Sequence, residues 1–142
     1  MVGLNFSCFH NSYTNVSEQL LETDLVGEWK ITEDSIKFLT AENICCPDKE
    51  IKLTLFNNKT FELKNMPSCW TSDFENCEMT SFNYKGTWSI YKREKSTRLH
   101  LNEKDNVQSK TYAVPFIKRT NTIQIVFGVS DPDDGREIYL SK

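Results

Sequence analysis

The stretch Phe82-Asn83-Tyr84-Lys85-Gly86-Thr87-Trp88-Ser89-Ile90-Tyr91 restricts the fold of this chain more than any other. Phe82, Tyr84, Trp88 and Ile90 fall at every second position with Asn83, Lys85, Thr87 and Ser89 between them, which is the period of a half-buried strand. Gly86 stands in the inward series, where a glycine marks a bend, a bulge or the close approach of another backbone. The G-x-W-x-I spacing of Gly86-Thr87-Trp88-Ser89-Ile90 also occurs earlier, in Gly27-Glu28-Trp29-Lys30-Ile31.

The same alternation recurs along the chain. Residues 1–16 are polar and Asn-rich and read as a flexible leader. A short helix follows, with Ser17 as N-cap and Glu18 in its first turn, and Leu20, Leu21 and Leu25 are placed to plug one open end of a sheet. Gly27 opens the first strand, with Trp29 and Ile31 inward. Residues 33–49, containing Ile36, Phe38 and Leu39, read as a long loop with room for one helical turn. Ile51, Leu53 and Leu55, then Phe61 and Leu63 across the turn Asn57-Asn58-Lys59, predict a hairpin over 50–64. A second long loop, 65–80, carries Pro67, Cys69, Trp70 and Cys77.

Beyond the central strand, a tip near Arg93 leads to Leu99 and Leu101, and the inward series continues with Tyr112, Val114 and Phe116. Ile123, Ile125, Phe127 and Val129 make the most hydrophobic strand, and Asp131-Pro132-Asp133-Asp134-Gly135 turns the chain toward Ile138 and Leu140. The sum is an all-β domain over 17–142: an eight-stranded antiparallel up-and-down barrel with a short N-terminal helix, because closure leaves no unpaired edge. A length of 142 residues suits one such domain and leaves no room for a second.

A short helix followed by Gly27-Glu28-Trp29 on the first strand resembles the opening signature of the lipocalins, whose tryptophan packs across the closed end of the barrel. The second motif, Gly86-Thr87-Trp88, and the closing Asp131–Gly135 hairpin look more like small bacterial lipocalin-like domains with two such motifs. The resemblance covers about residues 17–142 and implies a binding barrel in which Gly27, Trp29, Gly86 and Trp88 are structural. Of the lipocalins' Thr-Asp-Tyr motif only Lys110-Thr111-Tyr112 remains, and no C-terminal helix is expected, so the resemblance extends to the fold and not to a ligand.

The net charge of -3 and a pI near 5.4 argue against nucleic acid, whose binding rests on clustered Lys and Arg. The one basic cluster, Lys92, Arg93, Lys95 and Arg98, reads as a solvated hairpin tip. No run approaches the length of about 20 apolar residues that a spanning helix needs. Cys45, Cys46, Cys69 and Cys77 form an even set able to close two disulfides, which would place the domain in an oxidising compartment. Cys8, left over near the start, is a candidate lipid-attachment residue. The expectation is therefore a cell-envelope protein, periplasmic or a surface lipoprotein, with a cytoplasmic protein carrying free thiols as the alternative.

Catalytic chemistry finds no constellation: the two histidines lie far apart in sequence, no G-x-S-x-G elbow occurs, and the Asp131, Asp133 and Asp134 group reads as turn chemistry rather than a metal site. Neither cofactor nor metal is expected. His100 alternates with Leu99 and Leu101 and should face outward. The aromatic residues either fill the barrel or line a pocket held open by the loops 33–49 and 65–80, in which case Tyr84, Tyr112 and Phe116 are its walls. Trp70, in a cysteine-bracketed loop, is expected to be exposed. The residues thus predict a monomeric, non-enzymatic module for a small hydrophobic or amphipathic ligand. The alternative is a protein-interaction module, of inhibitor or immunity type, that uses the two loops and Trp70.

Overall fold

The structure, a computed structural model, describes residues 14–15, 20–44, 49–67, 70, 81–93, 96–104, 109–119, 121–129 and 136–142. Ser17, the 131–135 turn and the residues Cys8, Cys45, Cys46, Cys69 and Cys77 lie outside them. The strands are β1 (Thr14–Asn15), β2 (Gly27–Ile31), β3 (Lys52–Leu55), β4 (Thr60–Pro67), β5 (Ser81–Arg93), β6 (Ser96–Lys104), β7 (Ser109–Arg119), β8 (Thr122–Gly128) and β9 (Glu137–Ser141). From β2 to β9 each pairs antiparallel with its sequence neighbour, and β9 returns to β2, closing an eight-stranded up-and-down barrel. Within the stretch read as a leader, β1 pairs with the far end of β7, Thr14 opposite Lys118.

Alternation put the right residues inside. Leu53, Leu55, Phe61, Leu63, Leu99, Leu101, Phe116, Ile125, Phe127, Ile138 and Leu140 are all buried in one cluster. Phe82 is a correction: expected inward, it is 51% exposed. It is the outermost inward position of β5, past a bulge where the β4–β5 register runs from Leu63↔Tyr84 to Met66↔Phe82 with one extra residue on β4. Asn65 absorbs that residue at φ 62°, and its backbone N–H donates to Asn83 Oδ1 at 2.9 Å. Beyond the bulge Phe82 stands on the rim.

Both G-x-W motifs sit at the end of the barrel where β2 begins, the tryptophan end. The Trp29 indole N–H donates to the Leu25 carbonyl at 2.9 Å, and that of Trp88 donates to the Phe56 carbonyl in the β3–β4 turn at 3.0 Å. Each indole therefore buries its ring while its N–H finds a backbone carbonyl; that of Phe56 also accepts the Lys59 N–H at 3.0 Å. Lys59, at φ 70°, lays its ammonium 4.4 Å from the centre of the Trp88 ring and ion-pairs with Glu22. The first helix, α1 (Glu22–Leu25), is one turn, shorter than expected. Its Leu25 enters the core and Leu20 packs against it, whereas Leu21, expected to plug the barrel, is exposed.

The region 33–49, expected to be a loop, contains a second helix, α2 (Glu33–Ala41). Thr32 caps it by accepting the Ser35 N–H at 3.3 Å, with Glu33 and Asp34 in the first turn. Asn43 ends it at φ 55°, and the bonds Ile44 N–H to Leu39 carbonyl and Asn43 N–H to Thr40 carbonyl complete a Schellman motif. Leu39 and Ile44 are both buried in the core cluster. The helix begins where β2 leaves β9: Tyr139 N–H, which would otherwise bond to β2, donates to the buried Ser35 Oγ at 2.8 Å.

Candidate functional site

The end opposite the tryptophans, the loop end, holds α2, the segment after β4 and the β6–β7 and β8–β9 connections. The wall opens here. β7 and β8 pair only over Phe116–Arg119 and Thr122–Ile125, and toward the loop end no pairing joins 109–115 to 126–128 among the described residues. The pairing stops beside Pro115, whose nitrogen has no hydrogen to offer. The opening is not left empty. Trp70 inserts its indole there, with ring centroids 4.6 Å from Tyr112 on β7, 5.1 Å from Phe127 on β8 and 5.2 Å from Tyr84 on β5.

Trp70 is thus a second correction. It is half-buried against the core cluster and not the exposed anchor expected of its loop. Tyr84 and Phe127 meet it edge-on, at 86° and 78°, and Tyr112 lies tilted at 38°, so three walls bound a flat slot of indole shape. Tyr84 and Tyr112, read from sequence as pocket walls, come together here with Trp70, which was expected apart from them. Phe116 does not join them: it lies four residues along β7 from Tyr112, 1% exposed, in the middle of the core.

Two participants were not read as site residues. Phe127 looked like core because it lies on the most hydrophobic strand, and it is both core and slot wall. Glu103 lies just beyond the alternating part of β6, and its Oε2 accepts the Tyr112 hydroxyl at 3.0 Å. Burial, this hydrogen bond and the charge of Glu103 together push the Tyr112 phenol well above its ordinary range. At neutral pH Tyr112 is a hydrogen-bond donor and not a base, which makes the slot apolar with one polar corner.

Gly27, Trp29, Gly86 and Trp88 all belong to the tryptophan end, away from the slot. His100 faces outward on the barrel wall, its ring stacked 5.0 Å from Tyr91. Among the described residues no group of His, Cys, Asp and Glu is arranged to hold a metal, and no helix is long and apolar enough to cross a membrane.

The chain matches no family model, no curated protein and no solved structure.

Proposed function

We propose that the chain is a non-enzymatic binding module of lipocalin-like type, and that a small, flat, apolar or amphipathic ligand occupies the slot between Tyr84, Tyr112 and Phe127 when Trp70 swings out. The observation that carries this reading is the origin of the plug: Trp70 comes from a connection and not from a strand of the wall. Replacing it costs the barrel no hydrogen-bonded ladder. The other alternating residues deeper down are buried together in one cluster, which favours a ligand at the mouth. Glu103 and the Tyr112 hydroxyl supply the polar corner that an amphipathic molecule would meet.

The test is a titration of the wild type and Trp70→Ala with a panel of hydrophobic fluorophores. Stoichiometric, saturable uptake is expected in both, about tenfold tighter in Trp70→Ala because the plug no longer competes. Phe127→Ala should weaken it. A protein that takes up none of the dyes in either form overturns the reading.

A second reading, a protein-interaction module working through the loop end, is favoured by one observation: Phe82 stands exposed on the rim at that end, on β5. Under it Phe82→Asp abolishes a complex recovered from the native host and leaves dye uptake unchanged.

A further inference from the structure

Strand β5 outruns its neighbour. β4 begins at Thr60, opposite Thr87, and the last bond across that seam runs from the Trp88 N–H to the Lys59 carbonyl at 2.8 Å. β5 continues to Arg93, and its other edge stays paired with β6 as far as Arg93↔Ser96. In an antiparallel ladder, alternate residues present their polar groups to the same side. The Trp88 N–H points toward β4, so the N–H and carbonyl groups of Ile90 and Lys92 point that way too. Among the described residues they meet no backbone partner.

This edge has a definite chemical character. Over 88–101 the hairpin carries Lys92, Arg93, Lys95 and Arg98 against the single carboxylate Glu94, on a chain whose net charge is -3. Lys92 and Arg98 are exposed, and Tyr91 stands beside them, 44% exposed. Ile90, half-buried against the core cluster, offers an apolar ledge next to the open backbone groups.

We propose that this edge is an interaction surface that adds one strand from an extended, acidic protein segment. The backbone of Ile90 and Lys92 would supply hydrogen bonds, Ile90 would receive an apolar side chain, and the exposed Lys92 and Arg98 would select carboxylates on either side. A second copy of this chain fits poorly, because antiparallel pairing of β5 with β5 about Ile90 sets Lys92 opposite Trp88 and Arg93 opposite Thr87 and brings no carboxylate to these cations. The surface lies at the tryptophan end and is independent of the slot around Trp70.

Three labelled peptides titrated into the full chain test the proposal: alternating Glu and Val, alternating Lys and Val, and the Glu/Val peptide with proline at every second position. The Glu/Val peptide should bind saturably, weaken as salt is raised, and slow amide exchange at Ile90 and Lys92, while the other two bind at least about tenfold more weakly. Lys92→Glu with Arg98→Glu should cost about tenfold or more in affinity. Lys92→Pro, which removes a hydrogen from the open side only, should abolish the exchange protection with the fold intact by circular dichroism. Equal binding of the proline peptide, or binding without protection at Ile90 and Lys92, reduces the arm to a non-specific basic surface and overturns the proposal. So does self-association through β5 seen by sedimentation, or no binding at all.

Discussion

Gly86 shows how much a single missing side chain decides. A Cβ built there would lie 1.8 Å from the Asn102 backbone oxygen and 2.8 Å from its carbonyl carbon, so β6 crosses β5 closely only because nothing projects at this position. Backbone cannot yield as a flexible side chain can. Gly86→Ala is expected to cost about 3 kcal/mol or to prevent folding, whereas Gly128→Ala, with nothing within 4 Å of its Cβ, should fall within about 0.5 kcal/mol of wild type in urea melts. Equal midpoints for the two variants would contradict this account of the crossing. Tyr112 is a residue-scale case with a sign. Burial and Glu103 raise the phenol above its unfolded value, so the folded chain holds that proton after the unfolded chain has lost it. The contribution is fully present below about pH 10, the ordinary tyrosine value, and is lost as pH rises beyond it. Compared with Tyr112→Phe, the wild type should therefore lose stability faster in urea melts above about pH 10 and run parallel below it.

At the scale of elements, α2 does the work of a missing strand pair. β2 and β9 share only the partners Lys30↔Ser141 and Ile31↔Leu140, and past them Thr32 N–H still reaches the Tyr139 carbonyl while Tyr139 N–H turns to Ser35 Oγ. Ser35 therefore joins the helix cap to the end of the barrel seam. Ser35→Ala leaves the part-buried Tyr139 N–H without this acceptor and is expected to cost about 1–3 kcal/mol by denaturant unfolding, with Ser35→Thr recovering part of it. A cost as small as that of an exposed serine would show that water serves Tyr139 equally well. The strands were legible because period two repeats over many residues, and Gly86 was legible because it broke the inward series. The helix was missed although Thr32, the acidic pair Glu33 and Asp34, and Asn43 all mark its ends. Nine residues with Leu39 as the one buried apolar side chain carry too little periodicity to compete with the reading of a loop. Trp70 was found as a residue and misplaced as a surface, because alternation says nothing about a side chain that enters the barrel from a connection.

The ring as a whole is uneven, and its unevenness is local. The ladder of β5 and β6 runs from Gly86↔Glu103 to Arg93↔Ser96, whereas β7 leaves β8 after Phe116↔Ile125 and β2 leaves β9 after Ile31↔Leu140. Between those two departures the loop-end half of the β8–β9 hairpin, Val126–Gly128 with Glu137–Tyr139, is bonded in ladder to itself alone among the described residues. What holds it to the rest is one backbone bond, Thr32 N–H to the Tyr139 carbonyl, together with side chains: Phe127 and Ile138 in the core, Ser35 on Tyr139, and the contact of Trp70 with Phe127. A hairpin held in this way can swing as a unit while the β4–β6 wall stays closed, and Phe127 moves with it, opening the slot on the side away from Tyr84. Stability should accordingly be lowest where the proposed ligand enters. In native-state hydrogen exchange, amides of Phe127 and Tyr139 are expected to open well below the global unfolding energy, and those of Leu99 and Leu101 near it. Trp70→Ala should lower the hairpin's opening energy by a further ~1 kcal/mol, the worth of a lost aromatic pair, because it removes the bridge between Tyr112 and Phe127. If the hairpin and the β5–β6 ladder exchange at one common energy, with or without Trp70, the barrel opens only by unfolding, and a ligand would have no door at this seam.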